Sequence, residues 1–127
     1  MEKIFNEEWF YEGFNKYNPN PVVCSQLKIF MQNVKLIMYV DVHCKDTKPL
    51  IPPLFKVLKS ISHHKYKIIY VTRWDLPFIS TDNKVINRVP TIILQNNSRQ
   101  EIGRITETLS IMPLVEKELL YLLKPKK

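Results

Sequence analysis

Apolar residues in this chain follow two different spacings. "KLIMYVDV", residues 35–42, is an unbroken run rich in strand formers, and "KIIYVTR", 67–73, reads the same way. Continuous apolar runs of this length predict buried central strands. Between them Ile51, Leu54, Phe55, Leu58 and Ile61 recur at helical spacing and predict a helix over about 45–62, bent near its start by Pro52 and Pro53. Strand, helix, strand implies one right-handed parallel crossover.

Two helices are expected before this unit. Residues 6–17 are aromatic-rich, with Trp9, Phe10, Phe14 and Tyr17 near one side. "NPNP" ends that helix, and Asn20 followed by Pro21 marks the start of a second, with Val23, Leu27, Phe30 and Met31 as its apolar face. After the second strand, residues 74–87 read as a short helix with loops. "PTIILQ" (90–95) and "EIGRITE" (101–107), joined by "NNSRQ", read as an antiparallel hairpin. Ser110 is expected to cap a last helix with Pro113 in its first turn and Met112, Val115, Leu119 and Leu122 buried. The expected architecture is α/β: one mixed sheet, helices on both faces, and a single domain over 1–127. Residues 1–33 form a helical lead-in, and 34–124 form the core.

The chain has 127 residues, enough to fold around a core without disulfides or metal. No apolar run reaches the ~20 residues of a membrane span. The acidic, amphipathic start "MEKIFNEEWFYEGF" lacks the pattern of a signal peptide, so the cytoplasm is the expected location. Net charge is +7, but the positive residues are scattered. Without a basic–aromatic stripe, neither nucleic acid nor a membrane is expected as a partner. The two cysteines, Cys24 and Cys44, are expected to be free thiols in a reducing compartment.

Cys44 carries the candidate chemistry, because it lies between a predicted strand and a predicted helix. A thiol opening a helix meets backbone N–H groups and the positive end of the dipole, which favour the thiolate. Lys45 and Lys48 add positive charge, whereas Asp46 opposes it. The hydroxyl of Thr47, three residues on, is placed to point at the same sulfur. His43 is either a tuning neighbour or an exposed loop residue. In "RVPT", 88–91, Pro90 begins a strand, and a cis bond there would leave the Val89 backbone free to pair with an extended peptide. A metal site shared by Cys44 with His63 and His64 is excluded, because about 18 residues of helix at 1.5 Å each separate them.

Cys44-x-x-Thr47 between strand and helix, Pro52 eight residues on, "VPT" at Val89–Thr91 and the hairpin together resemble the thioredoxin family. The match is closer to bacterial thioredoxin-like proteins with Trp-Cys-x-Asp-Ser. Their aromatic lead-in is matched by Phe10, Tyr11, Glu12 and Gly13, and their terminal stretch by Glu101–Ile105. The resemblance covers nearly the whole chain. It implies a thioredoxin-like fold, Cys44 as nucleophile, and Thr47 stabilising the thiolate. It also implies a substrate groove formed by His43, Asp46, Val89, Pro90 and Thr91. Four departures are equally clear. Thr47 stands where a resolving cysteine is usual, Met38 where a buried acid is usual, His43 in place of tryptophan, and Glu107 in place of a groove glycine. A two-cysteine cycle cannot run in this motif. Direct attack by one thiol on protein, peptide or glutathione disulfides still can. No resident cofactor is expected, and release would need an outside thiol, with glutathione as the candidate co-substrate, or Cys24. A redox-inactive module that binds a peptide in the same groove is the alternative.

Overall fold

The computed structural model describes residues 3–106 and 114–124. A 3-10 turn leads into α1 (Glu8–Lys16) and α2 (Pro21–Phe30). Then follow β1 (Lys35–Val40), α3 (Thr47–Ser60), β2 (Tyr66–Tyr70), a 3-10 turn at Arg73–Asp75, and the short strands β3 (Phe78–Ile79) and β4 (Val85–Ile86). The chain continues with β5 (Thr91–Gln95), β6 (Glu101–Thr106) and α4 (Val115–Leu123). The main sheet runs β2-β1-β5-β6, with β1 parallel to β2 and the other pairs antiparallel. β3 and β4 form a separate two-stranded ribbon. The sheet and helices therefore make a mixed α/β fold.

Asn20 starts α2 as its position predicts. Its side chain accepts from the backbone N–H groups of Val22 at 3.0 Å and Val23 at 3.1 Å, with Pro21 first in the helix. The buried face of α2 is largely the expected one, with Cys24 added to it. Cys24, Leu27 and Met31 are buried, whereas Val23 and Phe30 are half-buried. α4 starts after Leu114, so Ser110 is not its N-cap. Ser110, Met112 and Pro113 lie outside the described residues. Val115 and Leu119 are buried as expected, and Leu122 is partly so.

The pleat of β1 separates two apolar clusters. Leu36, Met38 and Val40 join a cluster to which α1, α2, α3 and α4 all contribute. Ile37 and Tyr39 face a smaller cluster with Val71, Ile86, Val89 and Ile93, flanked by Leu76 and Phe78. Helices on both faces were the expectation. Instead, among the described residues, the second cluster contains no α-helical residue. The segment read as a short helix is the 3-10 turn plus the ribbon. Its hairpin turn is held by Ser80 N–H to the Lys84 carbonyl at 2.9 Å, and Asn83 takes φ 66°, a left-handed conformation that Asn tolerates.

α1 packs on α3 through an aromatic group, with Phe10 5.7 Å and Phe5 5.3 Å from the Phe55 ring. The lead-in therefore belongs to the main core. Where the helices meet, a Cβ on Gly13 would stand 2.9 Å from Pro52 Cβ and 3.1 Å from its Cγ. Alanine would gain up to about 1 kcal/mol of helix propensity. Overpacking costs about 1–3 kcal/mol, and a proline ring cannot swing away. Gly13→Ala is therefore expected to lower stability by about 1 kcal/mol in urea unfolding. A higher midpoint would show that the helices separate easily there.

Candidate functional site

β1 ends at Val40, and the chain turns through residues 41–46 before α3 begins at Thr47. Asp41 organises this turn. Its Oδ1 accepts the His43 N–H at 2.9 Å, and its carbonyl accepts the Cys44 N–H at 3.1 Å and the Thr47 hydroxyl at 2.8 Å. Asp41 is only 9% exposed, and backbone N–H groups compensate the burial of its carboxylate. Its Oδ2 lies 3.4 Å from the Arg73 N–H, across the sheet end on the β2 side.

Cys44 is half-buried, and its thiol donates to the Val89 carbonyl at 3.6 Å. The Val89–Pro90 bond is cis, as expected. The sulfur and the "VPT" segment, 45 positions apart in sequence, are therefore brought together. In this state the Val89 carbonyl accepts the thiol.

Cys44 also lines a cleft of about 480 Å³. Asp41, His43, Lys45 and Asp46 form the same wall, and Thr72, Arg73 and Trp74 form the other. Trp74 is 83% exposed, with the Arg73 guanidinium 5.2 Å from its ring. Thr72 and Asp75 hold this wall by a reciprocal cap, with the Asp75 carboxylate accepting both the Thr72 N–H and its hydroxyl at 3.0 Å. These bonds hold the Asp75 carboxyl below its ordinary range. No residue of α1 lines the cleft.

Several expected site residues fall elsewhere. α3 starts three residues after Cys44, with Asp46 as its N-cap and no side-chain capping bond. The sulfur therefore belongs to the preceding turn, where the Cys44 carbonyl accepts the Thr47 N–H at 3.1 Å. Thr47 is fully buried, and its hydroxyl proton is committed to the Asp41 carbonyl rather than to the thiol. Thr91 is buried and donates to the Arg88 carbonyl at 2.6 Å. Val89 and Pro90 are buried, and neither they nor Thr91 line the cleft. His43 is exposed and Asp46 half-buried at the cleft. Met38 is fully buried in the helix-side cluster. Glu107 lies outside the described residues.

Cys24 is a different kind of thiol. It is 6% exposed on α2, and burial, followed by the nearby Glu116 carboxylate, pushes it above the usual thiol range. Both cysteines are free. Among the described residues, no group of three or more His, Cys, Asp or Glu is arranged to hold a metal, and no helix is long and apolar enough to cross a membrane.

Asp41, Arg73 and Trp74 were not anticipated as site residues. An Asp just past a strand end is a signal for a local turn. The exposure of Trp74 has no counterpart in the sequence pattern.

No family model and no curated protein matches the chain. Two solved structures share its fold. One is a protein of unknown function from Pseudomonas aeruginosa, 8% identical, at a TM-score of 0.70 over 96% of this chain and 84% of that one. The other is an HIV epitope-scaffold, 12% identical, at a TM-score of 0.61 over 86% and 67%. At these identities the likeness concerns fold alone.

Proposed function

We propose that this chain is a thioredoxin-like protein that exchanges disulfides through the single thiol of Cys44. The carrying observation is that Cys44 lines an open cleft while its sulfur lies 3.6 Å from the Val89 carbonyl that precedes Pro90. The element order supports the reading: strand, helix and parallel strand, then an antiparallel hairpin and a helix on a β2-β1-β5-β6 sheet. The helix that the resemblance leads one to expect behind the sheet is replaced by the β3–β4 ribbon.

The chemistry needs only a thiolate and access. Cys44 Sγ attacks one sulfur of a disulfide. A new S–S bond forms to Cys44, the old one breaks, and the second sulfur leaves with the electron pair and takes a proton from solvent. Thr47 cannot resolve the adduct, and Cys24 is buried on α2. An external thiol, such as glutathione, attacks the mixed disulfide and regenerates the Cys44 thiolate. Two free cysteines fit a reducing compartment such as the cytoplasm.

With oxidised glutathione, the folded protein is expected to form one mixed disulfide, on the Cys44 peptide and not on the Cys24 peptide, by mass spectrometry. Insulin reduction is expected to stay at background. No adduct on Cys44 defeats the proposal, and insulin reduction at a dithiol rate defeats its single-thiol form. Trp74, standing exposed at the cleft, favours a second reading in which the cleft holds a peptide without redox chemistry.

A further inference from the structure

We propose that Asp41 is the positioning residue of this site, fixing the Cys44 turn and the Arg73–Trp74 wall relative to each other. This rests on the reading of Cys44 as the exchanging thiol. Asp41 is the first residue after β1, so its backbone is held at the end of a central strand, and four contacts radiate from it. Three reach the Cys44 turn: His43 N–H to Oδ1, and Cys44 N–H and the Thr47 hydroxyl to the carbonyl, at 2.9, 3.1 and 2.8 Å. The fourth reaches the other wall, where the Arg73 N–H faces Oδ2 at a long 3.4 Å. One carboxylate thus serves both walls of the cleft with different oxygens. A disulfide lying in the cleft meets the sulfur from one side and the Trp74 ring from the other. Their separation decides whether the attacking and leaving sulfurs line up with Cys44, and misplacement by about 1 Å costs up to about a hundredfold in such a step.

The two oxygens can be separated by substitution. Asp41→Asn keeps a carbonyl-type oxygen for the His43 N–H but sets an NH₂ against the Arg73 N–H, leaving the thiol turn intact and releasing the other wall. Asp41→Ala releases both carboxylate contacts and keeps the two bonds to its carbonyl. Arg73→Pro removes only the N–H on the other side, together with the side chain. Arg73 is the first residue of its 3-10 turn and Thr72 before it is extended, at φ −101° and ψ 160°, so proline fits there. Arg73→Ala keeps the N–H and serves as the comparison.

The test uses the whole chain with Trp9→Phe, so that emission reports Trp74 alone. Cys44 is capped by iodoacetamide, a small reagent that needs one wall. Separately, it is reacted with oxidised glutathione, which needs both. Capping wild-type Cys44 is expected to shift Trp74 emission. Asp41→Asn and Arg73→Pro are expected to lose that shift and to slow the glutathione reaction about tenfold while capping slows less than about threefold. Arg73→Ala is expected to keep the shift. Asp41→Ala is expected to lose the shift and slow both reactions, and if it does not fold, the Asn and Pro variants decide alone. Wild-type shifts and rates in those two variants, or equal losses in Arg73→Ala and Arg73→Pro, overturn the proposal. A wild-type protein that caps normally and shifts Trp74, yet never reacts with oxidised glutathione, overturns the exchange reading and leaves the role of Asp41 standing on the emission data.

Discussion

Glu116→Ala is expected to remove about 2–4 kcal/mol of stability, measured from the urea midpoint and slope. Glu116 is fully buried in the first turn of α4. There the Tyr17 hydroxyl donates to one of its oxygens and the Asn20 N–H to the other, at 2.6 Å. Alanine leaves both donors unpaired, and an orphaned buried donor costs about 1–3 kcal/mol. It also removes a negative charge from a helix N-terminus, where the dipole favours one. Asn20 caps α2, so the damage reaches the α2–α4 contact. Glu116→Gln keeps one acceptor and turns a donor toward the other partner, so a loss near half as large is expected. A wild-type midpoint for alanine would show that water enters and replaces both bonds.

The same cluster sets an alkaline limit. Burial, and then the bond to Glu116, push the Tyr17 phenol well above its ordinary 10.0. Burial and Glu116 push Cys24 above 9.0. Both groups are held neutral in the folded chain and ionise more easily unfolded. The stability they contribute is complete below about pH 9 and declines as pH rises through the raised values. Glu116→Gln removes the charge that raises both and is expected to flatten that decline. On the acid side, burial lowers His63 below its ordinary 6.5, so its contribution is lost as pH falls from there.

Iodoacetamide is expected to modify Cys44 at least about a hundredfold faster than Cys24, because Cys24 must wait for a local opening of roughly 3 kcal/mol. Cys44 borders the cleft, whereas Cys24 is packed between α2 and α4 in the main core and held protonated by its surroundings. Timed labelling and peptide mapping read the ratio directly. Cys44→Ser is expected to abolish the glutathione adduct while Cys24→Ser retains it. Comparable labelling of the two thiols in folded protein would mean that the Val89 contact shields Cys44 as effectively as the core shields Cys24.

The parts of the fold legible in sequence are those whose signal is long or stereochemically restrictive. β1 carries a run of five apolar residues, Leu36 to Val40, and the start of α2 needs only an Asn before a Pro. The parallel β1–β2 pair and the β5–β6 hairpin follow from the spacing of four such runs. The ribbon was not legible, because two-residue strands are too short to display a period. The site was half legible. Cys44 and Val89–Pro90 lie together, as their motif suggests. The Thr47 hydroxyl went to a carbonyl instead, because a buried hydroxyl needs an acceptor and Asp41 offered the nearest. Asp41 itself acts mainly on backbone N–H groups, which every residue type but proline supplies and no side-chain pattern reveals.

Because every described α-helix packs on one side of the sheet, the two walls of the cleft come from separate parts of the chain. The sulfur belongs to the loop that enters α3 and is anchored in the larger core. The tryptophan belongs to the stretch between β2 and β5, which covers only the smaller cluster. The two walls can therefore change independently. Changing the length or residues of the 72–88 stretch alters what can lie against the thiol without disturbing the loop that presents it. What lies against Cys44 can be changed by editing a segment the main core does not use.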